Sequence, residues 1–437
     1  MDLMQEIRQN TTGLAGTICV PSDKSISHRA LILALLAKGT TTINHRLISA
    51  DVTATMTAIQ KLGANVIEND DHTITKVVSE GRTMLINKSQ ALVAFDFANS
   101  GTTTRLLTGV LAGTGIKAKI TGDTSLSTRP MQRVIKPLTT FGAQIDSNNN
   151  HLPLIINTPI TADKLLFELP LGSAQVKNAV LLAGLASGKA VEISDKFKTR
   201  DHTERMLPAF GGEITINDDR ITLPADQNLV GTTVDVPGDI SAAAFWLVAA
   251  SLVDNSEVTL TSVNVNPTRA GILAVLERMG ANLSFKISAI GKEPVADITV
   301  KTTKHLQATT ISAQEVPSLI DELPIIVLAA TQATGTTIIT GASELRVKES
   351  NRIDLVTTEL TKLGADITAT TDGFIIKGPT KLQVNEPVTL NGHGDHRLTM
   401  MLAIAGLINK GVVTLADTDN VAVSYPTFFQ DLRRLTK

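Results

Sequence analysis

Five times along the chain an amphipathic stretch runs into a small glycine turn and then into an alternating apolar strand. The turns are Leu62-Gly63-Ala64, Phe141-Gly142-Ala143, Phe210-Gly211-Gly212, Met279-Gly280-Ala281 and Leu363-Gly364-Ala365. Intervals of about 70 to 85 residues lie well beyond solenoid periods. Each amphipathic stretch predicts a helix, and each glycine stands just past its C-terminus, where a left-handed conformation costs glycine little. Residues 425–435 read as a sixth copy that ends the chain where its turn would follow. Threonine-rich strands at 258–261 and 336–340 fall between helices, so the pattern predicts a mixed α/β fold. Six units divide naturally into two domains of three. No Gly/Ser/Pro-rich linker separates the halves; the turn-rich segment from Val234 to Asp239 is the best candidate crossover.

Charge changes the picture at the predicted helix starts. Acidic residues normally favour those positions, because the helix macrodipole is positive there. In this chain cations crowd them. Lys24 and Arg29 follow the expected cap Ser22-Asp23, Arg129 stands directly before Pro130, and Arg200 precedes Asp201-His202-Thr203-Glu204. Lys348 and Arg352, four apart, are expected on one face of a starting helix, and Arg397 follows the expected cap Asp395. The loop Asn99-Ser100-Gly101-Thr102-Thr103-Thr104-Arg105 also opens a helix, without the Gly-Lys-Ser/Thr of a P-loop. Backbone N–H groups joined by Lys and Arg make anion sites. Several such starts point to small molecules carrying phosphate and carboxylate groups.

Composition narrows the class. With 437 residues, 43% hydrophobic and 19% charged, the chain reads as globular and of two-domain size. One Trp, one Tyr and eleven Phe leave the cores to Leu, Ile, Val and Ala. A net charge of -2 argues against nucleic acid, which demands a basic face. No apolar stretch approaches the ~20 residues that span a bilayer, and no signal region opens the chain, so a cytoplasmic enzyme is expected. Cys19, the only cysteine, lies in an apolar run and is expected as a buried structural thiol in a strand.

Taken in order, the motifs resemble the 5-enolpyruvylshikimate-3-phosphate synthase family. They are Ser22-Asp-Lys-Ser-Ile-Ser-His-Arg29, Asn99-Ser-Gly-Thr-Thr-Thr-Arg105, Gly122-Asp-Thr-Ser-Leu-Ser-Thr-Arg-Pro-Met131 and Ser173-Ala-Gln-Val-Lys177. They continue with Arg200-Asp-His-Thr-Glu-Arg205, Val236-Pro-Gly-Asp239, Leu319-Ile-Asp-Glu322, Leu345-Arg-Val-Lys-Glu-Ser350 and Gly394-Asp-His-Arg397. The resemblance implies a two-domain enolpyruvyl transferase fold, each domain three βαβαββ repeats in an inverse α/β barrel-like arrangement, with the active site in the interdomain cleft. It places residues 20–235 in the first domain, and 1–19 with 236–437 in the second. The implied reaction joins phosphoenolpyruvate to the 5-hydroxyl of shikimate 3-phosphate through a tetrahedral intermediate, a step of aromatic amino-acid biosynthesis. Shikimate 3-phosphate contacts then fall on Lys24, Ser25, Arg29, Ser173, Gln175, Arg200, Asp321 and Lys348. Phosphoenolpyruvate contacts fall on Lys24, Gly101, Arg129, Gln175, Arg352 and Arg397. Asp321 and Glu349 form the implied general acid/base pair, Asp321 taking the hydroxyl proton and Glu349 or Lys24 serving the methylene carbon. No metal or organic cofactor is required, and a monomer is expected.

Two positions depart from the family pattern. Val423 stands where some members carry a lysine, ahead of Ser424-Tyr425-Pro426, and Leu106 stands where others carry proline. Gly101 leaves room beside phosphoenolpyruvate that a competing inhibitor such as glyphosate could enter. Three rival readings are weaker. The sister transferase acting on UDP-N-acetylglucosamine often carries a loop cysteine, whereas Cys19 lies near the N-terminus. A metalloenzyme would use His393-Gly-Asp-His396 with His28 and His202, but no Cys/His cluster accompanies them. A non-catalytic anion-binding protein explains the helix-start cations but not Asp321 with Glu349.

Overall fold

A computed structural model describes residues 4–86, 91–290 and 293–436. It falls into two compact units, one of Ser22–Val236 and one of Met1–Pro21 with Pro237–Lys437.

The unit Ser22–Val236 holds three four-stranded sheets built to one plan. In each, two parallel strands are extended by an antiparallel hairpin. Val93–Asp96 lies parallel to Ala118–Thr121, which is followed by His151–Thr158 and Gln144–Asn148, both antiparallel pairings. Lys164–Glu168, Ala190–Ser194, Arg220–Leu223 and Thr215–Asn217 repeat the plan. In the remaining sheet, Lys38–Asn44, Ile74–Glu80 and Asn65–Glu68 receive their parallel outer strand, Thr233–Asp235, from the far end of the unit.

Its helices are of two kinds. Ala50–Lys61 and Gln132–Thr140 bury one side and lead into the glycine turns. Lys24–Leu36, Gly101–Thr114 and Ala174–Ser187 are buried on nearly every side, as apolar sequences without a polar face must be. Two of these helices touch backbone to backbone. A Cβ on Gly109 would stand 2.1 Å from the Ala179 carbonyl oxygen, and one on Gly113 2.5 Å from that of Ala183. Alanine at either position would force the helices apart.

The unit completed by the N-terminus follows the same plan. Ala15–Ile18 lies parallel to Glu257–Asn264, which continues into Pro294–Lys301 and Asn282–Ile290. Thr310–Ile311, Gly335–Ile339, Phe374–Gly378 and Asp366–Ala369 form the second sheet. In the third, Val388–Asn391 and Val413–Ala416 are parallel, and Gln5–Ile7 supplies the antiparallel strand. This sheet has three strands, with Gln5–Ile7 where the other sheets place a hairpin. Phe428 stacks on Trp246 at 5.1 Å between centroids, and the Trp246 indole donates to the Tyr425 hydroxyl at 2.9 Å. Three helices, Ile240–Leu252, Leu323–Thr331 and His396–Ile408, are again buried all round.

All five turn glycines take positive φ, from +76° at Gly211 to +102° at Gly63, as the repeat requires. Cys19 departs from expectation. Its strand ends at Ile18, and Cys19 is exposed because the alternation turns Ile18 and Val20 inward, at 2% and 3% exposure. No helix among the described residues is long and apolar enough to cross a membrane.

Candidate functional site

The six all-round-buried helices have one shared difficulty. Their first N–H groups lack helical partners, and water cannot reach most of their length. At four of them short polar side chains solve it: Asp23, Ser100, Asp239 and Asp395 each accept from a backbone N–H of the helix they cap. The candidate residues cluster around these starts.

In the unit Ser22–Val236, Lys24 opens its helix and its ammonium pairs with the Asp51 carboxylate. Ser25 is half-buried, and its carbonyl accepts from Arg29 Nη1 at 2.9 Å. Arg29 Nε donates to the Thr203 hydroxyl at 3.0 Å. Gly101 opens the next helix, and a Cβ there would meet Arg105 Nη1 at 3.1 Å and Arg129 Nη1 at 3.3 Å. Arg105 Nη1 donates to Gln175 Oε1 at 2.6 Å, and Gln175 Nε2 donates to the Thr102 hydroxyl at 3.1 Å. The bare glycine is thus a gap between two guanidiniums, with Gln175 alongside. Ser173 caps the third helix by position only, since its hydroxyl makes no capping bond. Arg200 is half-buried just ahead of the short helix His202–Met206.

His28 ties three helices together. Its Nδ1 lies 2.7 Å from the Thr55 hydroxyl, which lies 2.7 Å from that of Thr103, itself 2.6 Å from Ser100 Oγ. Burial, with Lys24 nearby, lowers the His28 pKa to about 3, so the ring is neutral in the fold. The unfolded chain takes up that proton below the usual value of about 6.5. Between these limits the unfolded state binds more protons, so stability falls as pH drops, by at most about 1.4 kcal/mol per pH unit. His28→Gln is expected to flatten the decline in urea midpoint between pH 6 and 4. An unchanged slope would mean that His28 does not carry it.

In the unit completed by the N-terminus, Asp321 Oδ1 lies 3.3 Å from Lys348 Nζ and 3.6 Å from Arg352 Nη1. Arg352, 1% exposed, also reaches Glu349 Oε2 at 2.7 Å and spans Asp395 with Nε at 2.7 Å and Nη2 at 3.1 Å. Arg397 Nη1 donates to the Asp321 carbonyl at 3.3 Å and lies 3.7 Å from Glu322 Oε1. Glu322 is held in turn by Arg269 at 2.8 and 2.9 Å. Burial pushes the Asp395 carboxyl up, but the Arg352 guanidinium outweighs it and holds the pKa below the ordinary carboxylate range.

Two expectations about helix starts are corrected. Lys348 and Arg352 do not share a helix face. Lys348 ends a 3₁₀ turn, Ser343–Val347, in extended backbone, and the helix begins at Arg352 behind the Asn351 cap. They meet at Asp321 through that bend. Arg129 does not open a helix either. Pro130 lies outside Gln132–Thr140, whose cap position is Met131, and the Arg129 guanidinium donates to Asn99 Oδ1 at 2.5 Å. Asp201 occupies a cap position but accepts from Arg205 Nε instead of capping. Sequence reasoning passed over Asp51, Arg105, Glu322 and Arg269 as members of the site, and saw Asp395 only as a cap. Among the histidines, His393 Nε2 lies 3.0 Å from Glu359 Oε1. Among the described residues, no group of three or more His, Cys, Asp or Glu side chains could hold a metal ion.

Comparison with known proteins names the arrangement. The family model for EPSP synthase (3-phosphoshikimate 1-carboxyvinyltransferase) matches residues 8–432. A 3-phosphoshikimate 1-carboxyvinyltransferase from Geobacillus thermodenitrificans is 48% identical over 433 residues, 98% of this chain and 98% of that protein. The solved EPSP synthase from Acinetobacter baumannii matches with a TM-score of 0.86 at 37% identity, covering 100% of this chain and 98% of that one. The enolpyruvyl transferase NikO from Streptomyces tendae shares the fold, with a TM-score of 0.76 at 16% identity, over 99% of this chain and 97% of that one. With its six repeats and its cation-lined helix starts, this chain belongs to the EPSP synthase family.

Proposed function

We propose that the polar side chains at these helix starts divide one reaction between them. The chain is an enolpyruvyl transferase: it moves the enolpyruvyl group of phosphoenolpyruvate to the 5-hydroxyl of shikimate 3-phosphate and releases phosphate. The hydroxyl oxygen bonds to the central carbon of phosphoenolpyruvate while the hydroxyl proton leaves and the methylene carbon gains a proton. The resulting tetrahedral intermediate then loses phosphate, as a proton departs from the same carbon.

In this reading Asp321 takes the hydroxyl proton. Glu349 or Lys24 serves the methylene carbon. Lys24, Ser25, Arg29, Ser173, Gln175, Arg200, Asp321 and Lys348 bind shikimate 3-phosphate. Lys24, Gly101, Arg129, Gln175, Arg352 and Arg397 bind phosphoenolpyruvate. The arginines grip carboxylate and phosphate oxygens in pairs and stabilise the charge that moves to the leaving group. What supports the assignment most is Asp321, a carboxylate with Lys348 and Arg352 on one oxygen and Arg397 on its backbone carbonyl. The enzyme acts as a cytoplasmic monomer on two small anions, with no cofactor.

Phosphate release from phosphoenolpyruvate tests the reading, with shikimate 3-phosphate and UDP-N-acetylglucosamine offered separately. Release with shikimate 3-phosphate alone is expected. Release only with the nucleotide sugar, or with neither, overturns it.

A further inference from the structure

Lys177 is the one lysine among the described residues whose ammonium is buried with two carboxylates. Its side chain is 1% exposed, in the first turns of the helix Ala174–Ser187. The ammonium lies 3.0 Å from Asp195 Oδ2, 2.7 Å from Glu204 Oε1 and 3.0 Å from the Thr199 carbonyl oxygen. Two of these contacts are hydrogen bonds, to Asp195 and the Thr199 carbonyl, and Glu204 adds a close opposite charge. Asp195 Oδ2 also accepts from the Thr199 N–H at 2.9 Å and its hydroxyl at 2.6 Å, and Oδ1 from the Phe197 N–H at 3.2 Å. Burial alone would lower the pKa of the ammonium, but Glu204 and Asp195 raise it, so it stays charged.

These bonds gather one segment. Residues 195–201 join the strand Ala190–Ser194 to the helix His202–Met206 with no regular structure of their own, and they carry Arg200. The next residue on the lysine's helix holds the other end. Asn178 Oδ1 accepts from the Thr203 hydroxyl, the group that accepts from Arg29 Nε at 3.0 Å. Asn178 is itself fixed, its Nδ2 donating to the Ala174 carbonyl at 2.6 Å. Apolar packing would secure such a segment at least as stably, because buried ion pairs seldom exceed well-packed hydrophobic replacements. What directional bonds add is a fixed placement of backbone and side chains.

We propose that Lys177 is a positioning residue for substrate binding: with Asn178 it sets the segment 195–204 so that Arg200 and Arg29 meet shikimate 3-phosphate. The inference rests on the assignment of Arg29 and Arg200 made above. Lys177 touches no substrate. Its loss misplaces binding groups and leaves the proton-transfer groups alone.

Lys177→Met removes the ammonium at similar volume. Thr203→Val cuts the Arg29 and Asn178 links without leaving a charge unpaired, and decides the matter if the methionine variant does not fold. Either is expected to raise the KM for shikimate 3-phosphate about tenfold or more, as displaced binding groups do. The KM for phosphoenolpyruvate and kcat should stay within about threefold. Loss of kcat together with both KM values, in folded Thr203→Val, overturns the proposal. An unchanged shikimate 3-phosphate KM in the folded variants does so too. Arg200→Lys separates the two layers. If it raises that KM while Lys177→Met and Thr203→Val do not, the inference about Lys177 fails alone; if all three leave it unchanged, the assignment of Arg200 fails with it.

Discussion

Arg352→Met is expected to cost about 3–5 kcal/mol of stability and to remove nearly all turnover. The guanidinium is buried, and Asp395, with a fully buried side chain, accepts two of its N–H groups. Glu349 Oε2 takes a third contact at 2.7 Å. Without Arg352, Asp395 and Glu349 face each other as like charges. Asp395 also caps His396–Ile408, accepting from the Arg397 N–H at 3.0 Å, and accepts from the Ser350 hydroxyl at 2.9 Å. The damage therefore reaches the helix start that carries Arg397.

The pH dependence follows with a definite sign. In the native protein the Asp395 pKa is depressed, so its contribution is complete above the ordinary value of about 3.9 and is lost as pH falls below it. In the variant that contribution is already gone. The stability gap between the two proteins should therefore narrow as pH drops through the carboxylate range. Arg352→Lys restores a charge but not the fork that spans Asp395, and should recover only part of the loss. Urea unfolding at pH 7 and pH 3 measures all of this; a variant within about 1 kcal/mol of the parent at pH 7 would contradict it.

What could be read in advance was local chemistry. A glycine past a helix end reports on its own φ, which is why Gly63, Gly142, Gly211, Gly280 and Gly364 marked the repeat. Asp23 and Asp395 announced themselves as caps because capping needs only neighbours in sequence. Pairings distant in sequence left no such trace. Arg105 with Gln175 and Lys177 with Asp195 join residues whose partnership depends on how the repeats pack. Lys348 misled for a related reason. Spacing of four suggests one helix face, yet Arg352 begins the helix, and the two cations meet at Asp321 through a bend that spacing does not encode. Cys19 shows the same limit just past a strand: an apolar run looks buried throughout until Ile18 and Val20 turn inward and leave the residue between them outside.

Lys24→Met should lower kcat about 10³-fold while the fold survives. The side chain is 21% exposed and its partner, Asp51, 10%, so the pair is far less enclosed than Arg352 with Asp395. Asp51 also stands in the first turn of Ala50–Lys61, where the helix dipole favours an anion whether or not Lys24 is present. Loss of the lysine therefore leaves Asp51, 7% exposed as a whole residue, with the helix dipole as compensation, and a change in unfolding free energy of about 1–2 kcal/mol is expected. Turnover is another matter, because Lys24 is assigned to both substrates and to the methylene carbon. Lys24→Arg separates those duties. Arginine keeps the charge but does not give up a proton at accessible pH. If it restores both KM values and leaves kcat low, Lys24 acts as the acid. If it restores kcat as well, Glu349 serves the carbon and Lys24 contributes charge alone. Turnover within tenfold of the parent in the methionine variant would sink the assignment of Lys24 altogether.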